Sequence, residues 1–169
     1  MPDSIEVLGR DASPERIETA RALLREYGEF VIAAEGAAHF CFGKLQEEMA
    51  GLPENYSRQG GEMLVAYADG KAAGCVTYRA IAKIDGGCEM KRLWVRKGFR
   101  GSRLGERLVL RAVEDASEAG FRAMYLDTFP ATMKAAYEMY LRLGFMPCEP
   151  YNESRFEGVV FMRRALGSR

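Results

Sequence analysis

The chain has 169 residues, 48% of them hydrophobic and 28% charged, which is the make-up of one ordinary globular domain and not of a disordered or fibrous chain. Twenty-four basic residues balance twenty-four acidic ones, which argues against a chain-wide attraction to nucleic acid or to an anionic membrane surface. The longest apolar run, Met63 to Ala68, has six residues against the roughly 20 that span a bilayer, so no membrane helix is expected.

The first residues carry Asp3 and Glu6 and no basic head or apolar stretch, so a cytoplasmic location is expected. Ser4 to Leu8 reads as a first strand. Ser13-Pro14-Glu15 is a helix start, with a capping hydroxyl, a proline at the first helical position and an acid near the positive dipole end. Ile17, Ala20, Leu24, Tyr27 and Val31 then recur at helical steps and leave Arg21, Arg25 and Glu29 for solvent. A second helical stretch runs from about Phe40 to Met49 and stops at Gly51 and Pro53.

Met63 to Ala68 and Ala72 to Ala82 flank Asp69-Gly70, a hairpin signal, and Asp85-Gly86-Gly87 turns the chain into Cys88 to Val95. These segments predict three antiparallel strands in a meander. Leu104, Leu108, Ala112 and Ala116 mark a long helix from Ser102 to Ala119, and Phe121 to Phe129 reads as a strand. Pro130 is expected to open another helix, with Met133, Ala136, Tyr137 and Tyr140 on its apolar side and Gly144 at its end; Gly158 to Leu166 closes the chain as a strand. Antiparallel strands followed by strand-helix-strand-helix-strand predict a mixed sheet flanked by helices.

Neutrality hides a segregation of charge. Residues 1–62 carry six basic and twelve acidic groups, whereas residues 91–111 carry eight basic groups against Glu106 alone. The basic stretch contains a strand, a glycine-bearing turn and a helix start, Arg92 to Gly105. Free N–H groups at a helix start, the helix dipole and basic side chains suit a phosphate-bearing ligand, while a solvated basic helix face explains Arg100, Arg103, Arg107 and Arg111 equally well. The turn is neither a triphosphate loop nor a dinucleotide fingerprint, and the stretch lacks the interleaved aromatics of a nucleic-acid stacking surface. Cys41, Cys75, Cys88 and Cys148 are irregularly spaced around one histidine, His39, so no metal site is expected, and His39-Phe40-Cys41 reads as filler.

Arg100 to Gly105 resembles the R/Q-x-x-G-x-G/A acetyl-CoA signature of the GNAT N-acetyltransferase family at Arg100 and Gly105, with Arg103 where the family has its central glycine. Ala136-x-x-x-Tyr140-x-x-x-Gly144-Phe145 is similar to the family's second signature, with Met133 in place of a usual asparagine. CEMKRLWV, LDT and LGF extend the resemblance to a bacterial subgroup over nearly the whole chain. The resemblance implies a single N-acetyltransferase domain over 1–169 with an α/β (α+β) GNAT fold, a mixed, mostly antiparallel central sheet of six to seven strands flanked by about four helices. It also implies that acetyl-CoA serves as acyl donor, its pantetheine against main-chain groups of Leu93 and Val95. Its pyrophosphate would lie on the N–H groups of Arg100, Gly101, Ser102, Arg103, Leu104 and Gly105.

Tyr140 matches the family's acid for the leaving thiolate, with core packing as its other role. An alkyl ammonium has a pKa of about 10.4, so a base is needed. Glu89 is the candidate, with cross-strand pairing to Lys91 or Arg79 as its alternative. Glu26, Glu29, Glu35, Glu47 and Glu48 suit a cationic acceptor, though a solvated helix face explains the same acids and is the preferred reading, and Arg155 near Tyr151 and Asn152 suits a carboxylate-bearing acceptor. The expected activity is direct acetyl transfer to a small-molecule amine, with no metal, nucleic acid or membrane as partner, and with homodimers through strand edges near the C-terminus. The alternatives are a CoA-binding regulatory module with little turnover and a protein acetyltransferase.

Overall fold

The computed structural model describes residues 3–35, 42–154 and 156–167. His39, Cys41 and Arg155 lie outside the described residues, as does the side chain of Glu35. Strands β1 (Ser4–Val7), β2 (Glu62–Ala68), β3 (Lys71–Ala80), β4 (Gly87–Val95), β5 (Ala123–Thr128), β6 (Met146–Cys148) and β7 (Val160–Ala165) form one sheet in the order β1-β2-β3-β4-β5-β7-β6. Every neighbouring pair is antiparallel except β4 with β5. Helices α1 (Pro14–Glu35), α2 (Phe42–Ala50), α3 (Leu104–Glu118) and α4 (Lys134–Arg142) complete the fold.

The apolar run in β2 is buried on both faces, as expected of a strand between two helical layers. Met63 and Val65 pack with Leu23, Leu24 and Leu45 of α1 and α2, while Leu64 and Ala66 pack with Leu104, Leu108 and Ala112 of α3. Ser13 caps α1 as its sequence indicates, its Oγ accepting from the Arg16 N–H at 3.3 Å. No described helix is long and apolar enough to cross a membrane.

Two sequence expectations are corrected. Pro130 does not open a helix: the N–H groups of Thr132 and Met133 both bond to the Phe129 carbonyl, at 3.1 and 2.8 Å, closing a turn. Met133 then leaves helical space (φ −121°, ψ 45°), so α4 begins at Lys134. The long helix begins at Leu104, not Ser102, because Gly101 and Arg103 both have positive φ. The three-residue β6, paired through Pro147 and Cys148 with β7, is too short for any periodicity to announce.

Two irregularities position the site. Pairing of β4 with β5 stops after Glu89 with Tyr125, and the strands separate beyond it, leaving that edge of Met90 to Val95 without a strand neighbour. In β4 the pairing with β3 slips between Cys75–Trp94 and Thr77–Lys91, and Arg92 adopts φ 61°, the left-handed conformation that marks a bulge.

Candidate active site

The gap between the parted strands is a cleft of about 990 Å³. Met90 to Val95 form one wall and Leu126, Asp127 and Thr128 the other; Tyr27 and Phe30 of α1, Arg100, Gly101, Arg103, Leu104 and Gly105, and Ala136, Met139 and Tyr140 of α4 close it, while the exposed Ser102 turns its Oγ to the Phe99 carbonyl at 2.7 Å. The size lies at the upper end of ordinary small-ligand sites.

At one end is the turn before α3. Arg107 N bonds to Arg103 O at 3.0 Å as the first bond of the helix, and none of the backbone N–H groups of residues 101–106 has a backbone acceptor among the described residues. Six donors thus surround a helix N-terminus whose dipole adds positive potential. A Cβ on Gly101 would meet nothing within 4 Å, and one on Gly105 only Val95 Cγ2 at 3.7 Å and Met139 Sδ at 4.0 Å. Glycine therefore keeps this floor open toward the cleft without being demanded by crowding.

Arg103 has φ 59°, so it takes the left-handed conformation that the family's glycine takes freely, at a cost of about 1–2 kcal/mol for a residue with a Cβ. Arg103→Gly is therefore expected to hold or raise the thermal midpoint, by up to about 4 °C for a gain of about 1 kcal/mol in a chain of this size. A scanning-calorimetry midpoint below that of the unmutated chain would contradict this account.

One expectation for the turn is corrected. The Arg100 N–H is not free: it donates to Lys97 O at 3.4 Å. Its side chain folds back, Nε donating to Val95 O at 3.0 Å and the guanidinium lying 5.0 Å from the centroid of the Trp94 ring. Arg100 braces the turn and takes one lone pair of the Val95 carbonyl, which has a second. The free donors begin at Gly101, while Leu93 and Val95 both line the cleft.

Tyr140 lines the cleft from α4 at 7% exposure, its ring edge-on to Phe145 with centroids 5.9 Å apart. Burial raises its phenol above the ordinary range, with smaller contributions from Tyr27 and Asp127, so it holds its proton and is equipped to donate it.

Glu89 is not brought to the cleft wall. It is 7% exposed, its Oε1 accepting from Arg79 Nε at 2.9 Å with Lys91 Nζ at 3.9 Å. The structure thus gives it the cross-strand pairing that was its alternative reading. Two of the acids of the first helices are spoken for in the same way, while Glu29 and Glu47 are exposed: Glu26 accepts from Arg96 Nη2 at 2.7 Å and Trp94 Nε1 at 3.0 Å, and Glu48 from Arg92 Nε at 2.9 Å. They steady the bulged strand instead of greeting a cation.

Asp127 was passed over in the sequence, where a strand carboxylate carries no distinguishing signal. It lines the cleft, and its Oδ2 accepts from Asn152 Nδ2 at 2.9 Å. Lys91, also on the wall, has its pKa lowered by desolvation, with Glu89 and Asp127 opposing that trend. The thiols of Cys75 and Cys88 are buried and pushed up to about 12 by desolvation, which makes them poor nucleophiles. Among the described residues no group of three or more His, Cys, Asp or Glu is placed to hold a metal ion.

The acetyltransferase (GNAT) family model matches residues 19–145. An uncharacterized N-acetyltransferase of Schizosaccharomyces pombe is 34% identical over 151 residues, covering 89% of this chain and 88% of its own. Among solved structures, the acetyltransferase yncA of Salmonella typhimurium, solved with its cofactor acetyl-CoA, superposes with a TM-score of 0.70 at 18% identity over 100% of this chain and 96% of its own. A paia N-acetyltransferase of Thermoplasma acidophilum in complex with coenzyme A does so with a TM-score of 0.69 at 20% identity over 96% and 99%. At those identities the structural likeness speaks for the fold.

Proposed function

The chain belongs to the acetyltransferase (GNAT) family and is an acyltransferase enzyme, and from that premise we propose that it moves the acetyl group of acetyl-CoA directly to a primary amine of a small molecule. The observation that carries this reading is the parting of β4 from β5 beyond Glu89, with a turn of free N–H groups at one end of the gap and Tyr140 in its wall. A pyrophosphate suits six donors on a helix N-terminus, and a pantetheine arm suits a strand edge with unpaired N–H and C=O groups. Both are chemical fits of this chain's own residues.

When bound, acetyl-CoA supplies an electrophilic thioester carbonyl. The chain does the rest within a single domain. The donors of residues 101–106 hold the phosphates, and Val95 and Met139, which flank Gly105, frame the passage beside it. Beyond Glu89 the β4 edge toward β5 has no strand partner, and a main-chain N–H on that edge would stabilise charge developing on the carbonyl oxygen. The Tyr140 hydroxyl passes its proton to the departing sulfur. Glu89 keeps Arg79 and Lys91 in place beside the site. A small acceptor is supported by the side-chain walls of Tyr27, Lys91 and Asp127, which enclose the end of the cleft remote from α3.

Calorimetric titration with acetyl-CoA is expected to show one site per chain, with affinity falling as salt is raised because the turn acts through charge and dipole. Absence of heat and of any thermal shift would overturn the reading. Product analysis over a set of primary amines is expected to show one CoA thiol released per amide formed.

A further inference from the structure

We propose that Asp127 receives the acceptor: its carboxylate binds the ammonium of the incoming amine and takes a proton from the nitrogen as the C–N bond forms. This rests on the acetyl-transfer reading above and adds to it a catalytic residue that receives the primary amine.

Position is the first argument. Asp127 stands on β5 two residues past Tyr125, the last residue paired with β4, so it belongs to the part of β5 that has left its neighbour. It lines the cleft on the wall opposite Lys91 and Arg92. On its other side β7 supports it, with Phe161 as its direct partner. Asn152, from the connection between β6 and β7, donates to Oδ2 at 2.9 Å and so fixes the carboxylate plane.

Vacancy for charge is the second. Glu26, Glu48 and Glu89, the other carboxylates packed between the first two helices and β4, each hold an arginine at 2.9 Å or closer. Asp127 is half-buried and has no Lys or Arg within ion-pair distance among the described residues. A carboxylate on a cleft wall with one neutral hydrogen-bond donor keeps lone pairs open for an ammonium, whose hydrogen bonds to a carboxylate are among the stronger ones.

The third is the company it keeps. The titratable groups that face Asp127 are Tyr27 of α1, Lys91 of β4, Tyr140 of α4 and Tyr151 of the β6–β7 connection. Burial raises all three tyrosines, which therefore keep their protons, and desolvation lowers Lys91. Among these groups Asp127 is the carboxylate, and so the base this wall offers to an amine.

The step balances. The amine nitrogen bonds to the acyl carbon and the C–S bond breaks. One N–H proton goes to Asp127 Oδ, and the sulfur takes the Tyr140 proton. Asp127 returns its proton to the Tyr140 oxygen, directly or through water, leaving an amide, a thiol and the starting enzyme. Where the amine arrives charged, its extra proton leaves to water.

The test compares the full chain with Asp127→Asn and Glu89→Gln. The probes are n-butylamine, phenethylamine, spermidine, L-lysine and glycine methyl ester at saturating acetyl-CoA, read by thiol release and by the mass of the N-acetyl product. Asp127→Asn is expected to keep its melting midpoint and to bind acetyl-CoA within about twofold of the unmutated chain. Its kcat/KM for amine is expected to fall about 100-fold or more, as for loss of a general base, and its acidic limb to vanish, while Glu89→Gln keeps that limb. Turnover by the unmutated chain with an unchanged acidic limb in Asp127→Asn overturns this inference alone. Loss of the limb in Glu89→Gln instead returns the role to Glu89 and overturns it too. An unmutated chain that binds acetyl-CoA and acetylates none of the probes overturns both this inference and the proposed function.

Discussion

Tyr140→Phe is expected to lower kcat about 100-fold or more at every pH, with acetyl-CoA affinity kept within about twofold, because it removes one proton and nothing else. The ring stays edge-on to Phe145, so α4 keeps its seat. A phenol raised by burial is a weaker acid than usual, and against a free thiol of pKa about 8.5 the transfer runs uphill. The proton is therefore of use while the C–S bond is breaking, when charge builds on the sulfur, and not after a free thiolate has left. Single-turnover thiol release gives the measurement, and an unchanged rate would mean that the thiolate leaves without this proton.

The parts of this site that sequence discloses are the local ones. Leu104, Leu108, Ala112 and Ala116 announce α3 by their spacing and are all buried, since one stripe at helical period has one way to face a sheet. The turn before it is legible for a similar reason: its chemistry is main-chain chemistry, and glycines report where the main chain must be reachable. Tyr140 is legible through the signature around it.

What depends on pairing over distance is not. Whether β4 and β5 stay together past Glu89 and Tyr125 is decided by the register with β3 and β7, and no window of residues contains that information. The same holds for carboxylates. Glu89 and Asp127 look alike as strand acids, and only the fold sets Arg79 2.9 Å from one of them while leaving the other with Asn152. The acids of the first two helices read in the sequence as a solvated face or as a lure for a cationic ligand, whereas Glu26 and Glu48 turn inward onto Arg96 and Arg92, 70 and 44 residues away.

The Glu48–Arg92 pair carries the largest expected effect on stability. Arg92 sits at φ 61° in the middle of β4, and its own carbonyl accepts from Cys75 Sγ at 3.4 Å. Its guanidinium is anchored by Glu48 and lies 5.6 Å from the centroid of the Tyr27 ring. Burial opposes the charge on Arg92, but Tyr27 and Glu48 together raise its pKa above the ordinary value. Both side chains of the pair are nearly sealed, at 7% and 4% exposure, and Glu48 Oε1 has no hydrogen bond, with Arg79 Nη1 standing off at 3.9 Å.

Neutralising one member strands the other. Glu48→Gln is expected to cost about 3 kcal/mol, as when a buried ion pair loses one partner, and to lower the thermal midpoint by about 6–12 °C in a chain of this size. Replacing both, Glu48→Leu with Arg92→Met, is expected to recover most of that loss, because two apolar side chains carry no desolvation debt. Function is expected to part company with stability here. The double variant regains its midpoint while its acetyl transfer stays depressed, since the bulged stretch of β4 that lines the cleft loses the anchor holding residue 92 in a left-handed conformation. A double variant as active as the unmutated chain would show that the ion pair serves folding alone and that the bulge holds without it.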